Sequence, residues 1–345
     1  MNHELYMRRC LELAVSASGK VAPNPLVGSV LVHNDMIVSE GFHEYFGGPH
    51  AEVNTLSKIT DAEVLKNSIL YVNLEPCCHY GKTPPCSSLI ISKQIPSVVV
   101  ANKDPNPKVN GGGIQLLQKE GINVLQGVLE KEGWNVNRRF FTFHTKKRPY
   151  VLLKWAQSND GFIAPSQSKG ITWISNASSR LLVHKWRSEE QSILIGSTTA
   201  INDNPKLNVR GFTGNDPLRI ILDPDLKMTD DLYVLNEKVP TFIFNFVKDE
   251  IKNNLTYVKL KPGKKIIPDL LTELYSRDIQ SVMVEGGTFT LNSFIESDCW
   301  DEIRVFTGPT DLKEGLKAPL LNVEPAASQM INSDTLTIFR NKNNS

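Results

Sequence analysis

A chain of 345 residues is long enough for two domains with cores of their own. Its 38 Lys and Arg nearly balance 37 Asp and Glu, a net charge of +1 that leaves no basic excess to track a phosphate backbone and so disfavours nucleic-acid substrates. Five cysteines in no framework spacing, an N-terminal stretch without an apolar signal core and the lack of any run of about 18 apolar residues point to the cytoplasm rather than to secretion or a membrane.

Leu5, Met7, Leu11, Leu13, Ala14 and Ala17 recur at roughly helical spacing between Glu4 and Ser18. Gly19 and the Pro23-Asn24-Pro25 turn end that helix. Residues 27–32 read as a buried strand and 37–42 as its hairpin partner. A helix opens at His50 and reaches Ser57, and a strand over Ser68 to Leu74 runs into Glu75-Pro76-Cys77. A second helix is expected to start after Cys77 and to continue through residues 86–91. A strand at 98–101, a helix at 114–120 and a strand at 122–125 follow, and this alternation implies an α/β sandwich. Residues 138–149 form a short basic connector, read as a solvated linker.

The chemistry concentrates between residues 47 and 86. His50 is followed two positions on by Glu52, and Pro76-Cys77 by Pro85-Cys86. Catalytic zinc commonly takes three protein ligands of thiolate, imidazole or carboxylate type and leaves the fourth position to water. His50, Cys77 and Cys86 supply three, and Glu52 is placed to move the proton of an attacking water, the arrangement of zinc deaminases. A lone His in a Gly/Pro turn is ordinarily a loop residue and a lone Cys a small buried hydrophobe. The ordered combination is what carries the metal reading. Cys78 adds a second thiol beside Cys77, which is preferred because it directly follows Pro76.

Eight residues separate Cys77 from Cys86, where nucleic-acid base deaminases usually have two. With Glu75-Pro76-Cys77 and His79-Tyr80-Gly81-Lys82-Thr83-Pro84-Pro85-Cys86, the segment resembles the bifunctional riboflavin-biosynthesis deaminase/reductase family. Asn24-Pro25-Leu26-Val27-Gly28 and Gly41-Phe42-His43 resemble its substrate-side loops, and 104–113 a loop at its pocket rim. The resemblance continues in the second half. Val151 to Gly161, with Lys154 and Ala156, resembles the first strand and turn of the reductase domain. Trp173-Ile174-Ser175 matches a further motif, although Gly170-Ile171-Thr172 before it does not. Leu181 to Arg187 reads as a helix, and 192–196 and 220–223 as strands. Thr199 to Arg210 resembles Thr-x-x-x-Asp-x-Pro-x-Leu-x-x-Arg, and 282–288 reads as strand, Gly286-Gly287 turn and helix start, a turn that lets backbone N–H groups approach a dinucleotide phosphate. No G-x-G-x-x-G is present, so a Rossmann fold is not implied.

The resemblance implies a cytidine-deaminase-like three-layer α/β/α domain over 1–146 and a dihydrofolate-reductase-like α/β domain over 149–345. It implies hydrolytic deamination of 2,5-diamino-6-ribosylamino-4(3H)-pyrimidinone 5′-phosphate with one Zn²⁺, then NADPH-dependent reduction of the ribosyl chain. It places Asn24, His43, Lys82, Thr83, Arg187, Leu207, Arg210 and Glu285 on substrate, with both arginines on its phosphate. Ala156, Trp173, Thr199, Asp203, Gly287 and Thr288 line the cofactor, and Lys154 and Asp203 lie nearest the reacting sugar. A homo-oligomer is implied. Two other readings stand beside this one, a deaminase with a degenerate C-terminal binding or dimerisation module and a nucleic-acid base deaminase.

Overall fold

The computed structural model describes residues 2–80, 84–166, 173–263 and 265–344. The chain divides into two compact units, Met1–Lys146 and Lys147–Ser345.

In the first unit α1 (His3–Val15) leads to β1 (Gly28–His33) and β2 (Met36–Phe42), then α2 (Ala51–Leu56), α3 (Ala62–Lys66) and β3 (Ser68–Leu74). α4 (Cys86–Ser92), β4 (Ser97–Asn102), α5 (Gly112–Lys119), β5 (Asn123–Gln126), α6 (Glu130–Val136) and α7 (Arg138–Lys146) complete it. Among the described residues the sheet order is β2-β1-β3-β4-β5, with β1 antiparallel to β2 and β3, and β3, β4 and β5 parallel. Both faces of β3 are covered, which is why Leu70 and Val72 join one apolar cluster and Tyr71 another.

Two expectations need correction. Among the described residues, the helix expected directly after Cys77 is found from Cys86. Pro84 and Pro85 explain the delay: proline lacks the N–H that a continuing helix needs, and it biases the residue before it away from helical geometry. The connector is not a solvated linker, because residues 138–146 form α7, in which Phe140, Phe141, Thr142 and Phe143 are buried. Its basic residues obscured an aromatic stripe. Phe140 and Phe141 pack on Leu74, the last residue of β3, so α7 braces the strand end that delivers Glu75 and Cys77.

The second unit comprises β6 (Tyr150–Gln157), β7 (Phe162–Pro165), α8 (Ala177–Glu189), β8 (Ser192–Gly196), α9 (Ser197–Asp203) and β9 (Leu218–Leu222). β10 (Thr241–Asn245), β11 (Glu250–Lys252), β12 (Leu255–Lys259), α10 (Ile266–Ser276), β13 (Ser281–Gly286) and α11 (Thr288–Glu296) come next. β14 (Glu302–Thr307), β15 (Gly315–Lys317), β16 (Ala327–Ile331) and β17 (Asp334–Arg340) close it. The main sheet runs β11-β12-β10-β9-β8-β13-β6-β14-β17-β16 among the described residues. Its strands from β12 to β14 are parallel, and their apolar runs fill a cluster on each face. Open parallel sheets of this kind bind ligands beyond the carboxyl ends of their strands. Gly196 and Gly286 end neighbouring strands there.

Candidate active sites

At the first site, α2 begins just after His50, and Glu52 lies in its first turn with 3% of its surface exposed. Cys77 follows the end of β3, and Cys86 opens α4. One ligand atom from each of His50, Cys77 and Cys86 lies within 4.8 Å of the other two. His50 Nδ1 is 3.2 Å from Cys86 Sγ and 3.6 Å from Cys77 Sγ. Tetrahedral zinc bonds of about 2.0–2.3 Å separate neighbouring N and S ligands by roughly 3.5 Å, so the set fits the ion in both donor chemistry and spacing.

Electrostatics prepares the same arrangement. The hydrogen bond with Cys86 pulls Cys77 down to about 4, aided by His50 and by the Cys86 N–H, which donates to Cys77 Sγ at 3.3 Å. Cys86, sharing that proton and deeply buried, is pushed well up. The low value makes Cys77 the thiolate of the pair, and a bound dication would stabilise the second thiolate, on Cys86. Burial raises the Glu52 carboxyl to about 7, with the Cys77 sulfur adding to the effect.

Asn24 and His43 adjoin this cluster. Asn24 Nδ2 lies 3.0 Å from His43 Nε2, and His43 Nδ1 lies 2.9 Å from the Pro49 carbonyl. That network assigns Nδ1–H as donor and Nε2 as acceptor. Burial lowers the pKa of His43 and so favours its neutral form. Its ring meets that of His50 edge-on at 5.7 Å. Lys82 and Thr83 lie outside the described residues. Cys78 stands apart from the ligand group, its Sγ 2.9 Å from where a Cβ on Gly112 would sit.

Glu75 is a residue that sequence reasoning left without a role. Its carboxylate accepts backbone N–H bonds from Asp104 at 3.1 Å, Gly111 at 2.9 Å, Gly113 at 2.9 Å and Ile114 at 3.1 Å. One side chain thus caps α5 and ties the 104–111 loop to the strand end beside Cys77. A Cβ on Gly113 would lie 1.9 Å from the Pro76 carbonyl oxygen, which accounts for glycine there. Asp104, in the same loop, is pushed up to about 7 by burial.

In the second unit Arg187 of α8 forks onto Glu285 of β13, at 2.6 Å from Nε and 2.7 Å from Nη2, while Nη1 donates to the Asn208 carbonyl at 3.1 Å. The two side chains are only 12% and 8% exposed. The pair is therefore a buried one rather than a surface contact. Burial works to raise the Glu285 pKa, yet the Arg187 charge and hydrogen bonds, with Lys154 beyond, hold it near 2. Lys154 lies on β6, one register step past the Val284–Leu153 pair, and burial lowers its pKa while Glu285 opposes that shift. His184, absent from the sequence reading, accepts the Arg210 N–H at Nδ1 at 3.2 Å, and burial with the charges of Arg187 and Arg210 lowers its pKa. Leu207 is buried, whereas Asp203 and Arg210 are exposed.

At the strand ends, Gly287 has φ +75° and passes close to Thr199, with a Cβ there 3.2 Å from Thr199 Oγ1. A Cβ on Gly286 would meet the Thr199 methyl at 2.9 Å, and one on Gly196 would meet Thr290 Oγ1 at 2.6 Å. Glycine at these positions lets the ends of β8 and β13 pack closely against the Thr199 and Thr290 side chains at the starts of α9 and α11. Thr288 Oγ1 donates to the Lys317 carbonyl at 3.2 Å. Ala156 is half-buried on β6, and Trp173 is 62% exposed with the Arg180 guanidinium 4.7 Å over its ring.

The family model described as the cytidine and deoxycytidylate deaminase zinc-binding region matches residues 1–102, and the RibD C-terminal domain model matches residues 149–315. The riboflavin biosynthesis protein RibD of Aquifex aeolicus is 42% identical over 317 residues, covering 90% of this chain and 88% of its own. The chain belongs to the RibD family. The Bacillus amyloliquefaciens RibD is 38% identical over 92% of this chain and 87% of its own. A crystal structure of a diaminohydroxyphosphoribosylaminopyrimidine deaminase/5-amino-6-(5-phosphoribosylamino)uracil reductase from Thermotoga maritima has a TM-score of 0.89, 35% identity and 98% coverage of each chain. A cytidine-deaminase-like α/β/α domain followed by a dihydrofolate-reductase-like α/β domain is the RibD architecture, as the sequence implied. With both halves matched, the deaminase-only reading has no support.

Proposed function

We propose that the two sites carry out successive steps on one ribosylaminopyrimidine phosphate. The first unit deaminates 2,5-diamino-6-ribosylamino-4(3H)-pyrimidinone 5′-phosphate, and the second reduces the ribosyl chain to give 5-amino-6-ribitylaminouracil 5′-phosphate. The observation that carries the reading is the convergence of His50, Cys77 and Cys86, with buried Glu52 alongside, in a chain whose other half is a RibD reductase domain. No described helix is long and apolar enough to cross a membrane. Five free cysteines fit a reducing cytoplasm. A homo-oligomer is the expected assembly, checked by sedimentation.

Zinc held by the three residues supplies a Lewis acid that lowers the pKa of water from about 15.7 toward about 7. Glu52 takes the proton of the attacking water and delivers it to the departing amine nitrogen. Asn24 and His43 orient the pyrimidine, and Lys82 and Thr83 its phosphate. In the second unit Ala156, Trp173, Thr199, Asp203, Gly287 and Thr288 would hold NADPH, which would supply the hydride for reduction at C1′. Lys154 gives a proton to the ring oxygen released as the sugar opens, and Asp203 lies near the same sugar. The Arg187–Glu285 pair, Leu207 and Arg210 hold substrate, with the arginines toward its phosphate.

The test is metal content, ammonia release and NADPH oxidation measured on the chain and on Cys86→Ser. One zinc per chain, lost in the variant with deamination while reduction of pre-deaminated substrate persists, is the expected result. Zinc that survives the substitution overturns the ligand set, and the lack of NADPH oxidation by either protein overturns the reductase assignment.

A further inference from the structure

Residues 24–27 carry Asn24 into the first site but lie just outside β1, so their backbone groups cannot all be met by a strand ladder. Two buried asparagines meet them instead. Asn73, on β3 and fully buried, donates Nδ2–H to the Leu26 carbonyl at 3.0 Å and accepts the Gly28 N–H at 2.8 Å. Asn137, 3% exposed and just after α6, accepts the Leu26 N–H at Oδ1 at 2.7 Å and donates Nδ2–H to the Leu26 carbonyl at 2.8 Å. The His43 N–H donates to the Val27 carbonyl at 2.9 Å. Residue 26 is thus held at both its N–H and its C=O by one side chain from the far end of the unit. Two positions upstream, Asn24 is bonded to His43.

We infer that Asn137 is a positioning residue for deamination: it fixes the backbone at Leu26 so that Asn24 and His43 are set for the pyrimidine. The inference rests on the proposed reading of Asn24 as a substrate contact. A side-chain amide offers an acceptor and a donor side by side, as a neighbouring strand would, and neither Asp nor Leu does. The grip costs little flexibility elsewhere, because Asn137 is itself anchored: its N–H donates to the Gly133 carbonyl at 3.2 Å, and its own carbonyl accepts the Phe141 N–H at 2.9 Å. Its effect therefore passes through the loop and leaves the zinc ligands in place.

The experiment is deaminase kinetics on the full chain for wild type, Asn24→Ala, Asn137→Ala, Asn137→Asp and the Asn24→Ala/Asn137→Ala double variant. Zinc content and NADPH oxidation of pre-deaminated substrate are measured on the same preparations. Losing two hydrogen bonds to the loop is expected to raise KM about tenfold in Asn137→Ala, with kcat within about twofold, one zinc per chain and unchanged NADPH oxidation. Asn137→Asp keeps the acceptor for the Leu26 N–H and loses the donor, so its KM falls between the two. The double variant is expected to be no worse than Asn24→Ala, because coupled sites are not additive. Leu65→Ala, which removes a buried core side chain on α3, is the control for lost stability and is expected to leave KM unchanged. An Asn137→Ala enzyme with wild-type KM, fully additive effects in the double variant, or a KM shift shared by Leu65→Ala overturns the inference. If Asn137→Ala does not fold, an Asn137→Asp enzyme with wild-type KM overturns it alone. A wild-type KM in Asn24→Ala overturns the underlying reading of Asn24, which separates that failure from a failure of the positioning role.

Discussion

Glu52 is the residue on which the first reaction turns, and its environment dictates two separable outcomes. Glu52→Gln keeps the volume and a hydrogen-bonding side chain but cannot shuttle a proton. Deamination is expected to fall about 10²–10⁴-fold, while zinc measured by atomic emission stays at one per chain, since the ligand set is His50, Cys77 and Cys86. The second outcome concerns the chelated protein. Burial raises the folded Glu52 pKa to about 7 from an ordinary 4.5. A raised carboxyl binds its proton more tightly when folded, so its contribution favours the fold below about 4.5 and is lost as pH rises through 7. Cys77, held down near 4, and Asp104, raised to about 7, titrate over overlapping ranges, so the informative quantity is a difference. Chelated wild type is expected to lose stability relative to chelated Glu52→Gln as pH rises from 4.5 to 7, read from urea midpoints at fixed slope. Equal pH dependence of the two proteins would show that Glu52 is not desolvated.

Elements carry the packing that holds such residues, and α7 is the instructive case. Its Phe140 and Phe141 lie on Leu74 at the end of β3, directly before Glu75 and Cys77. Phe141 is 6% exposed, so Phe141→Ala is expected to cost about 3–5 kcal/mol, seen as a lower midpoint for the first unit. Zinc affinity is expected to weaken with it, because the brace behind the Cys77 segment is gone. A variant that melts like wild type would return 138–146 to the status of a linker. That error has a physical origin. Arg138, Arg139, Lys146, Lys147 and Arg148 dominate the segment by charge, whereas burial is decided by which face the aromatic residues share. Strands such as β3 and β8 were legible because apolar runs between turn signals have few other solutions. The His50, Glu52, Cys77 and Cys86 set was legible because metal chemistry restricts residue type and order. Glu75, Asn73 and Asn137 were not, because each acts on backbone groups that only the folded chain brings near. The Arg187–Glu285 pair was likewise hidden, joining residues 98 positions apart.

The whole molecule joins two units that each bury apolar clusters of their own, Leu31 to Ile122 among those of the first and Val151 to Val305 among those of the second. Ligands and protons should therefore act on them separately. Zinc binds the folded first unit and stabilises it by mass action. A chelator is expected to lower the midpoint of one thermal transition and leave the other in place. Acid works in the opposite sense on the second unit. Glu285 is held near 2 against an ordinary 4.5, so its contribution is present above about 4.5 and disappears as pH falls toward 2. Below that window Arg187 is left beside a neutral acid, and removing one partner of a buried pair costs about 3–5 kcal/mol. Differential scanning calorimetry of the full chain, at pH 7 with and without chelator and then from pH 5 to 2 with chelator present, tests both. The expected result is that chelation at pH 7 moves one transition and leaves the other, that the chelator-insensitive transition falls as pH drops from 5 toward 2, and that NADPH oxidation of pre-deaminated substrate at pH 7 survives chelation. A single transition that chelation shifts as a whole, with loss of both activities, would mean that the two units fold as one and that the zinc site supports the reductase as well.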